Sequence, residues 1–471
     1  MKTLTLVFIS VLASFASALE VTVYNTNLGL VKETRPFSLR NGVNEVQIVD
    51  VAAQIDPTSV HFKSLTAPDA VSVLEQDFRY DLISQEKLLS RYVGKEIELQ
   101  RISGPNGEKK ELTRGVLLSA VGGRVIKQGD KILLNPPGEA ILPELPEGLL
   151  TKPTLMWKLS SRKAGEHQGE ISYLTSGLSW NADYVLVIDK EDAKADMTAW
   201  VTVANNSGAT YKDAKLKLVA GDVHRAPSPA RGRGQNYMAK AAMAMESDAG
   251  MVEKTFFEYH MYSLGRPTTL ADNSSKQVEM ASAASVPVKK LYVYDGVQGV
   301  QWRDFGGSAY WDPNYGLASD KKVSVHFEIN NKKEFGMGLP LPKGRVRVYK
   351  KDDDGSLQLA GEDSIDHTPK DEKVRVKMGE SFDLVGERKR VNFASDINKR
   401  RFEETFEVRL RNHKDGDVTV SVVEHLYRWS NWKIVDSSHR WEKRDAQTIE
   451  FPVTVKKDGE AVVTYTVKYS W

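Results

Sequence analysis

The sequence predicts an all-β protein made of several β-sandwich domains, and two observations lead to this prediction. After the first eighteen residues, apolar and polar residues alternate with period two in short runs, such as the one containing Val21 and Val23, and turn pairs such as Asn41-Gly42 separate the runs. A helical pattern is clear in one stretch, residues 81–92, where it is short and weakly amphipathic.

Glycine and proline content divides the chain into segments. Between Tyr92 and Leu142 the runs become very short and glycine-rich, which predicts a small barrel of the SH3 or Sm type. Residues 226–252 are rich in alanine, methionine, glycine and arginine and could form little core, so we expect a mobile loop or a fraying helix there. The predicted organisation is a signal peptide at 1–18, an N-terminal β region at 19–90, the small barrel at 91–150, a central β-sandwich at 151–395 with loop 226–252, and a C-terminal β-sandwich at 396–471.

The first eighteen residues have the three parts of a secretory signal peptide. Lys2 supplies a positive charge, an apolar run extends from Leu4 to Phe15, and the small residues Ala16-Ser17-Ala18 follow it. The run is too short to span a bilayer, which takes about 20 apolar residues. We therefore expect export to the periplasm or out of the cell, with cleavage after Ala18.

Composition argues against several classes of function. The 471 residues include no cysteine, so we expect neither disulfides nor a lipid-modified cysteine, and stability has to come from buried apolar area. The 65 Lys and Arg residues nearly balance the 63 Asp and Glu residues, which argues against a nucleic-acid partner. We expect no transmembrane segment in the mature chain and no cofactor.

Several separated motifs stand in one order along the chain: residues 171–184 (ISYLTSGLSWNADY), 205–208 (NNSG), 339–349 (LPLPKGRVRVY), 361–369 (GEDSIDHTP) and 463–471 (VTYTVKYSW). Together they resemble one bacterial family, the family of domain of unknown function 4139. The resemblance covers about Gly169 to Trp471. It implies an exported β-rich protein without an assigned activity, and it carries over no functional residues.

The motifs of common enzyme classes are missing from the sequence. The nine histidines form no His-Glu-x-x-His or His-x-His arrangement, and there is neither a Gly-x-Ser-x-Gly elbow nor a phosphate-binding glycine loop. The sequence does not decide whether distant residues assemble into a serine–histidine–aspartate site. An envelope hydrolase with a dispersed site is therefore one alternative function.

The densest cluster of acidic and histidine side chains is formed by Glu362, Asp363, Asp366 and His367. Carboxylates near a histidine could bind a metal ion or transfer protons. The favoured interpretation is a turn whose side chains cap backbone N–H groups.

The segment that contains Met238, Met243, Met245 and Met251 is rich in thioethers, which suit Cu(I). Met243 and Met245 are thus weak candidate metal ligands, and copper handling is a second alternative function. The favoured interpretation is a segment that docks on an apolar groove or on a partner.

A glycine-rich loop carries the candidate binding residues. They are Trp302, Phe305, Tyr310, Trp311 and Tyr315. Exposed rings of this kind stack on sugars or mark protein interfaces. An equally supported interpretation is a loop that folds back and caps the end of a sheet with its own rings.

Near the C-terminus, tryptophans alternate with cationic residues, which predicts a structural cation–π ladder across adjacent strands. The residues are Trp429, Trp432, Trp441 and Trp471, with Arg428, Lys433, Arg440 and Arg444.

These observations together favour a non-catalytic binding or scaffold protein of the cell envelope. Its partner would be another envelope protein or a surface glycan, contacted through the aromatic loop.

Overall fold

Strands dominate the computed structural model. It describes residues 18–80, 83–103, 109–144, 146, 150–221, 223, 251–256, 259–298 and 312–471. Within these ranges, 29 strands accompany one α-helix and two 3-10 helices, which confirms the all-β class. No helix of this described part has the length and apolar character needed to cross a membrane.

The elements follow one another along the chain as short and long strands. The strands are β1 (Leu19–Tyr24), β2 (Leu28–Leu39), β3 (Gly42–Val49), β4 (His61–Ser64), β5 (Val71–Arg79), β6 (Glu96–Ser103), β7 (Lys109–Ser119), β8 (Val125–Gln128), β9 (Lys131–Leu134), β10 (Glu139–Ile141), β11 (Thr154–Ser161), β12 (Gly165–Thr175), β13 (Leu178–Ile188), β14 (Lys194–Asn205), β15 (Tyr211–Ala220), β16 (Met251–Phe256), β17 (Tyr259–Leu264), β18 (Thr268–Leu270), β19 (Ser274–Asp295), β20 (Lys322–Asn330), β21 (Gly344–Lys351), β22 (Leu357–Ile365), β23 (Lys373–Asp396), β24 (Arg401–Asn412), β25 (Val418–His425), β26 (Trp432–Ser437), β27 (Glu442–Lys443), β28 (Thr448–Val455) and β29 (Glu460–Ser470). The α-helix is α1 (Gln85–Arg91), and the 3-10 helices are Pro57–Ser59 and Lys333–Phe335.

The chain forms two compact units, each assembled from several stretches. The first contains the described residues up to Trp180 together with 203–219 and 266–276, and the second contains 181–202, 220–265 and 277–471. The finer division predicted from composition stays a prediction.

Two sheets of the first unit contain Val21, Val23 and Trp157. In one, the strand order is β15-β1-β2-β12-β4, with β1 parallel to β15 and antiparallel to β2. The other has the order β3-β11-β5. Val21 and Val23, which the alternating pattern assigned to a strand, are fully buried in β1. Trp157 of β11 is also buried and packs on Phe62 of β4, with 5.0 Å between ring centroids.

The glycine-rich stretch of this unit forms a five-stranded sheet with the order β10-β6-β7-β8-β9. The predicted helix is confirmed as α1, whose first turn is capped by Ser84 accepting the Lys87 N–H. One sheet face packs against the helix, and on the other Ile132 and Leu134 are exposed. The described strands form an open sheet with β9 and β10 at its edges. An SH3 or Sm identity for it stays a prediction.

The second unit is organised around a long sheet with the order β22-β21-β13-β14-β19-β20-β23-β24-β29-β26. Strand β25 joins β19 in parallel and β28 in antiparallel pairing. Buried apolar residues of β24, β25, β28 and β29 share one core with Tyr294 of β19, Val323 of β20 and Leu384 of β23. The C-terminal strands therefore pack together with earlier ones around a common interior.

Two turns differ in what they connect. The Asp352–Gly355 turn joins the antiparallel strands β21 and β22. Residues 205–208 (Asn-Asn-Ser-Gly) have the composition of a hairpin turn, but they form no hairpin, because β14 pairs with β13 and β19 whereas β15 pairs with β1 and β18. The Asn205 amide donates to the carbonyls of Ala209 and Leu270, at 2.8 and 3.1 Å. This side chain thus stabilises a buried crossing between sheets.

Candidate functional site

The described residues include only some of the predicted site residues. Outside the described residues lie Trp302, Phe305, Tyr310, Trp311, Met243 and Met245. Tyr315 is described and half-buried, and its ring meets that of Tyr427 edge-on with 5.4 Å between centroids. The Tyr315 ring is therefore engaged within the chain, and the role of the five candidate residues as a binding surface stays a prediction.

The backbone on the two sides of residues 297–319, the aromatic segment, is joined at one point of the second unit. The Asp320 N–H donates to the Gly296 carbonyl at 2.7 Å, and the Tyr294 hydroxyl donates to the Asp320 carbonyl at 2.8 Å. Beside this junction, His425 Nε2 lies 3.0 Å from Asp295 Oδ2. The chain therefore leaves and re-enters the sheet at the same place.

Arg388 of β23 is the first of two buried arginines that bind the returning part of the aromatic segment. Its Nε donates to both carboxylate oxygens of Glu424, at 3.0 and 2.8 Å, and its Nη1 donates to the Gly316 carbonyl at 2.8 Å. The guanidinium lies 3.9 Å above the Phe406 ring centroid. Tyr465 completes the group by donating to Glu424 Oε2 at 2.5 Å. The side chains of the pair are 2 % and 0 % exposed, so the interaction is shielded from water.

Arg428, just after β25, is the second buried arginine. Its Nη2 donates to Glu404 Oε1 at 2.8 Å, and its Nη1 donates to the Asp312 carbonyl at 2.9 Å. Arg390 donates to the same carboxylate at 3.1 Å. The Arg428 guanidinium lies 4.8 Å from the Phe393 ring centroid. Together the two arginines hold three carbonyls of the aromatic segment, since Arg428 Nη2 also lies 3.3 Å from the Tyr315 oxygen.

The predicted tryptophan–cation ladder is wrong in its pairing. Arg428 stacks on phenylalanine and tyrosine rings, and the cation found over Trp432 is Lys443, at 5.1 Å. Trp471 packs instead on Phe402, with 4.5 Å between centroids. The alternation along the sequence did not reveal which strands would become neighbours.

Burial determines the ionisation of the network around Arg388. Burial alone lowers the pKa of Arg388, but the Glu424 carboxylate outweighs it and raises that pKa above its ordinary value. Burial raises the pKa of Tyr294 to about 12 and that of Tyr465 well above its usual range. Proton transfer near neutral pH needs a group whose pKa lies near 7. The raised pKa values keep Arg388 charged and the two tyrosines protonated near neutral pH, which suits fixed hydrogen bonding.

The sequence did contain a signal for these residues. In β24, Glu404 stands in the same alternation phase as Phe402, Phe406 and Val408, and in β25, Glu424 follows Val420 and Val422 in phase. A carboxylate in the inward phase of a strand needs a buried partner. An inward-facing glutamate therefore predicts a buried cation nearby, but the sequence does not identify which arginine provides the cation.

Two serine–histidine pairs of the described residues contain a buried serine, and their geometry is that of structural contacts. Ser64 Oγ lies 3.4 Å from His167 Nδ1, both residues are almost fully buried, and the other ring nitrogen faces the Lys163 carbonyl. Ser324 Oγ lies 2.9 Å from His326 Nε2, yet it is 5 % exposed and also lies 3.1 Å from the Val293 carbonyl. A nucleophile needs both access and a base held by a third group. Neither pair provides this arrangement.

The acidic and histidine turn caps backbone groups, as favoured from sequence. Asp363 accepts the N–H groups of Lys377 and Ser364, at 2.7 and 2.8 Å, and His367 Nδ1 accepts the Lys343 N–H at 3.1 Å. Glu362 is paired with Arg347. Across the described part of the chain, no three or more His, Cys, Asp or Glu side chains converge as a metal site would require.

Comparison with known proteins identifies the family. The model of the family "Domain of unknown function (DUF4139)" matches residues 170–471, which is more than half of the chain. The chain belongs to the DUF4139 family. This confirms the resemblance drawn from the separated motifs. No curated protein matches the chain significantly.

The DUF4139 match contains every residue of the network described above. Arg388, Glu404, Glu424 and Arg428 all lie within it, as do both sides of the aromatic segment. The five-stranded sheet with α1 lies outside the match. The family description assigns no activity, so the site itself has to support any statement of function.

Proposed function

We propose that this DUF4139 protein is exported to the cell envelope and acts there as a non-catalytic binding or scaffold protein, with the aromatic segment as its contact surface. The observation that supports the proposal most is the pair of buried arginines bound to the carbonyls of Asp312, Tyr315 and Gly316. A buried ion pair is no more stabilising than well-packed apolar side chains, but it fixes one geometry. Here it fixes the backbone of Asp312, Tyr315 and Gly316, which follow the candidate rings Trp302 to Trp311 in the sequence.

The residues of the segment suit the contact they would make. Trp302, Phe305, Tyr310 and Trp311 precede the anchored residues in the sequence, and aromatic side chains are enriched in binding surfaces. Their rings can stack on sugar faces or fill apolar pockets of a protein. Rigid attachment of both ends lowers the conformational entropy lost on binding.

Export is supported by the sequence pattern at residues 1–18. A positive charge, an apolar run and small residues before Leu19 are the order that signal peptidase requires. An envelope location also suits a chain without cysteine, because its fold does not depend on the redox state of the compartment.

Two binding assays with the mature protein test the proposal. In the first, the protein is sedimented with purified cell-wall sacculi. In the second, it is cross-linked in envelope fractions and its partners are identified by mass spectrometry. The test variant is the double substitution Trp302→Ala/Trp311→Ala. The matched control is Phe382→Ala, which removes a ring that is 97 % exposed elsewhere in the second unit.

The proposal expects at least one assay to show saturable binding that persists in the control. In the double variant the binding should fall more than tenfold, because each lost ring contact of about 1–2 kcal/mol weakens binding by about 5- to 30-fold. Sedimentation would identify a glycan and cross-linking a protein. Equal binding by wild type and the double variant in both assays contradicts the proposal.

A further inference from the structure

A glutamate on the inward-facing side of β2 has a buried carboxylate oxygen that lacks a donor. The Glu33 side chain is 10 % exposed, and it shares its alternation phase with the buried Val31 and Phe37. Its Oε2 lies 2.9 Å from Arg35 Nη2, but within the described part of the chain no group forms a hydrogen bond with its Oε1. Because an incompletely paired buried carboxylate is costly, a further donor is expected at this position.

The titratable groups that face Glu33 come from four elements of the first unit. They are Arg35 on the same strand, Asp50 after β3, Tyr173 of β12 and Tyr211 of β15. Burial raises the pKa of Glu33, and the Asp50 carboxylate adds to the rise while Arg35 opposes it. Burial also raises the pKa of Tyr173 well above its usual range and that of Tyr211 to about 12, so both hydroxyls stay neutral. Of these four groups, Arg35 alone carries a positive charge.

The first residue of β1 lies directly across from Glu33. Leu19 and Glu33 are partners in the antiparallel β1–β2 pairing. The Thr34 N–H donates to the Ala18 carbonyl at 3.1 Å, so the adjoining pair, Leu19 and Glu33, is of the close, non-hydrogen-bonded kind, with Cα atoms about 4.5 Å apart. Val21, which follows on the same face of β1, is fully buried. The backbone nitrogen of Leu19 therefore lies within the length of the inward-facing glutamate side chain.

Cleavage after Ala18 converts this nitrogen into a charged donor. Hydrolysis of the Ala18–Leu19 peptide bond consumes one water, whose hydroxyl joins the Ala18 carbonyl carbon and whose hydrogen goes to the Leu19 nitrogen. The new amine takes up a proton from solvent near neutral pH, because an α-amino group has a pKa of about 7.7–8.0. An ammonium has three N–H donors, and a hydrogen bond between two charged groups is stronger than one between neutral groups.

We propose that the α-ammonium group of Leu19, formed when the signal peptide is removed, pairs with Oε1 of Glu33. The inference rests on the proposed export and adds a structural consequence of the cleavage. A chain that continues past Leu19 has an amide at this nitrogen, so its Glu33 lacks the second cation. Maturation therefore completes a buried ion pair and stabilises the first unit.

Four forms of the mature chain, residues 19–471, test the pairing by urea unfolding near neutral pH. All begin at Leu19, with a free or an acetylated amino group, in the wild-type sequence and in Glu33→Gln. The acetyl carbonyl stands where that of Ala18 stood, so acetylation removes the charge and keeps an acceptor for the Thr34 N–H. We expect acetylation to raise the unfolding equilibrium constant about tenfold more in the wild type than in Glu33→Gln, as for a hydrogen bond to a charged group.

The matched control is Glu20→Gln. Glu20 is the next residue along β1, but its carboxylate pairs with Lys217, at 2.6 Å. Acetylation should therefore have the same effect in Glu20→Gln as in the wild type. A control that also abolishes the effect of acetylation would show that the amino group acts through general charge and would overturn the specific pairing.

The pKa of the Leu19 amino group is a second measurement, and in the wild type it needs no substitution. A neighbouring carboxylate favours the charged amine, so we expect this pKa to lie above about 8.0 in the folded chain and to return to about 7.7–8.0 in Glu33→Gln. The stabilisation is then complete below the unfolded pKa and is lost as pH rises through the higher folded pKa. NMR after reductive methylation with ¹³C-formaldehyde measures the titration, since methylation keeps the charge.

Equal effects of acetylation in the wild type and in Glu33→Gln overturn the pairing, and so does an amino pKa in its usual range. If the envelope protein nevertheless begins at Leu19, the proposed export stands and this inference alone fails. An envelope protein that keeps residues 1–18 contradicts the cleavage, and it also removes the amino group on which the pairing depends.

Discussion

Removal of Arg388 leaves a buried carboxylate without its cation. In Arg388→Met, Glu424 keeps the Tyr465 hydroxyl at 2.5 Å but loses two hydrogen bonds to the guanidinium. Both members of the ion pair are essentially inaccessible to water, at 2 % and 0 % exposure. Most of the expected loss in unfolding free energy comes from the uncompensated charge of Glu424 in the buried site, and less of it from the lost attraction to Arg388.

The expected magnitude follows from this burial. Breaking a buried pair by removing one partner costs about 3–5 kcal/mol of unfolding free energy. For a unit of this size, that cost lowers the melting temperature by on the order of 10 °C. The double variant Arg388→Met/Glu424→Gln removes the charge while keeping an oxygen for Tyr465, so it should recover about 2 kcal/mol or more of the loss.

Urea unfolding followed by intrinsic fluorescence measures these free energies. The control is Arg347→Met, which breaks a half-exposed pair with Glu362 and is expected to cost about 0–1 kcal/mol. The reasoning is refuted if Arg388→Met is as mild as this control. It is also refuted if the double variant is less stable than the single variant.

Three further predictions concern other parts of the chain. The hydrogen bond to Asp295 raises the pKa of His425. The stabilisation from this pair is therefore complete below the unfolded pKa of about 6.5 and is lost as pH rises through the higher folded pKa. NMR titration should show the raised pKa of His425, and the substitution Asp295→Asn should lower that pKa. Gly386→Ala should destabilise by about 1–3 kcal/mol, measured by urea unfolding, because its Cβ would lie 2.1 Å from the buried Tyr294 ring. Protein recovered from the envelope should begin at Leu19 on N-terminal sequencing, because signal peptidase cleaves after small residues.

Each of these predictions has its own contrary outcome. If the pKa of His425 is the same in Asp295→Asn as in the wild type, the pair with Asp295 does not cause the raised pKa. Gly416→Ala, where no heavy atom lies within 4 Å of the added carbon, is the control for Gly386→Ala, and equal effects would dismiss the steric argument. An envelope protein that still begins at Met1 would contradict cleavage, and a protein found only in the cytoplasm would contradict export.

The all-β class and many strands were predictable because alternation depends only on local sequence. Val21 and Val23 show the limit, since their pattern gives the strand but not the partners β2 and β15. Asn205 shows the same limit at a turn. Its residues are typical of a hairpin, yet the distant Leu270 carbonyl binds its amide and the chain crosses to another sheet.

The candidate site was predictable in a similar, partial way. The charged residues of the network share their phase with apolar neighbours, which marks Glu404 and Glu424 as buried. The pairing of Glu424 with Arg388 depends on how β23 and β25 pack, and that is a property of the whole unit. The aromatic segment was singled out from composition, but its attachment by Arg388 and Arg428 required coordinates.

The central claim is that the aromatic segment contacts the partner of this DUF4139 protein. Hydrogen exchange with mass spectrometry, with and without the sacculi or the protein identified above, locates the contact directly. The proposal predicts slower exchange in peptides that cover residues 299–320, and little change in the five-stranded sheet that exposes Ile132 and Leu134. Protection confined to that sheet, with unchanged exchange around Tyr315, would contradict it.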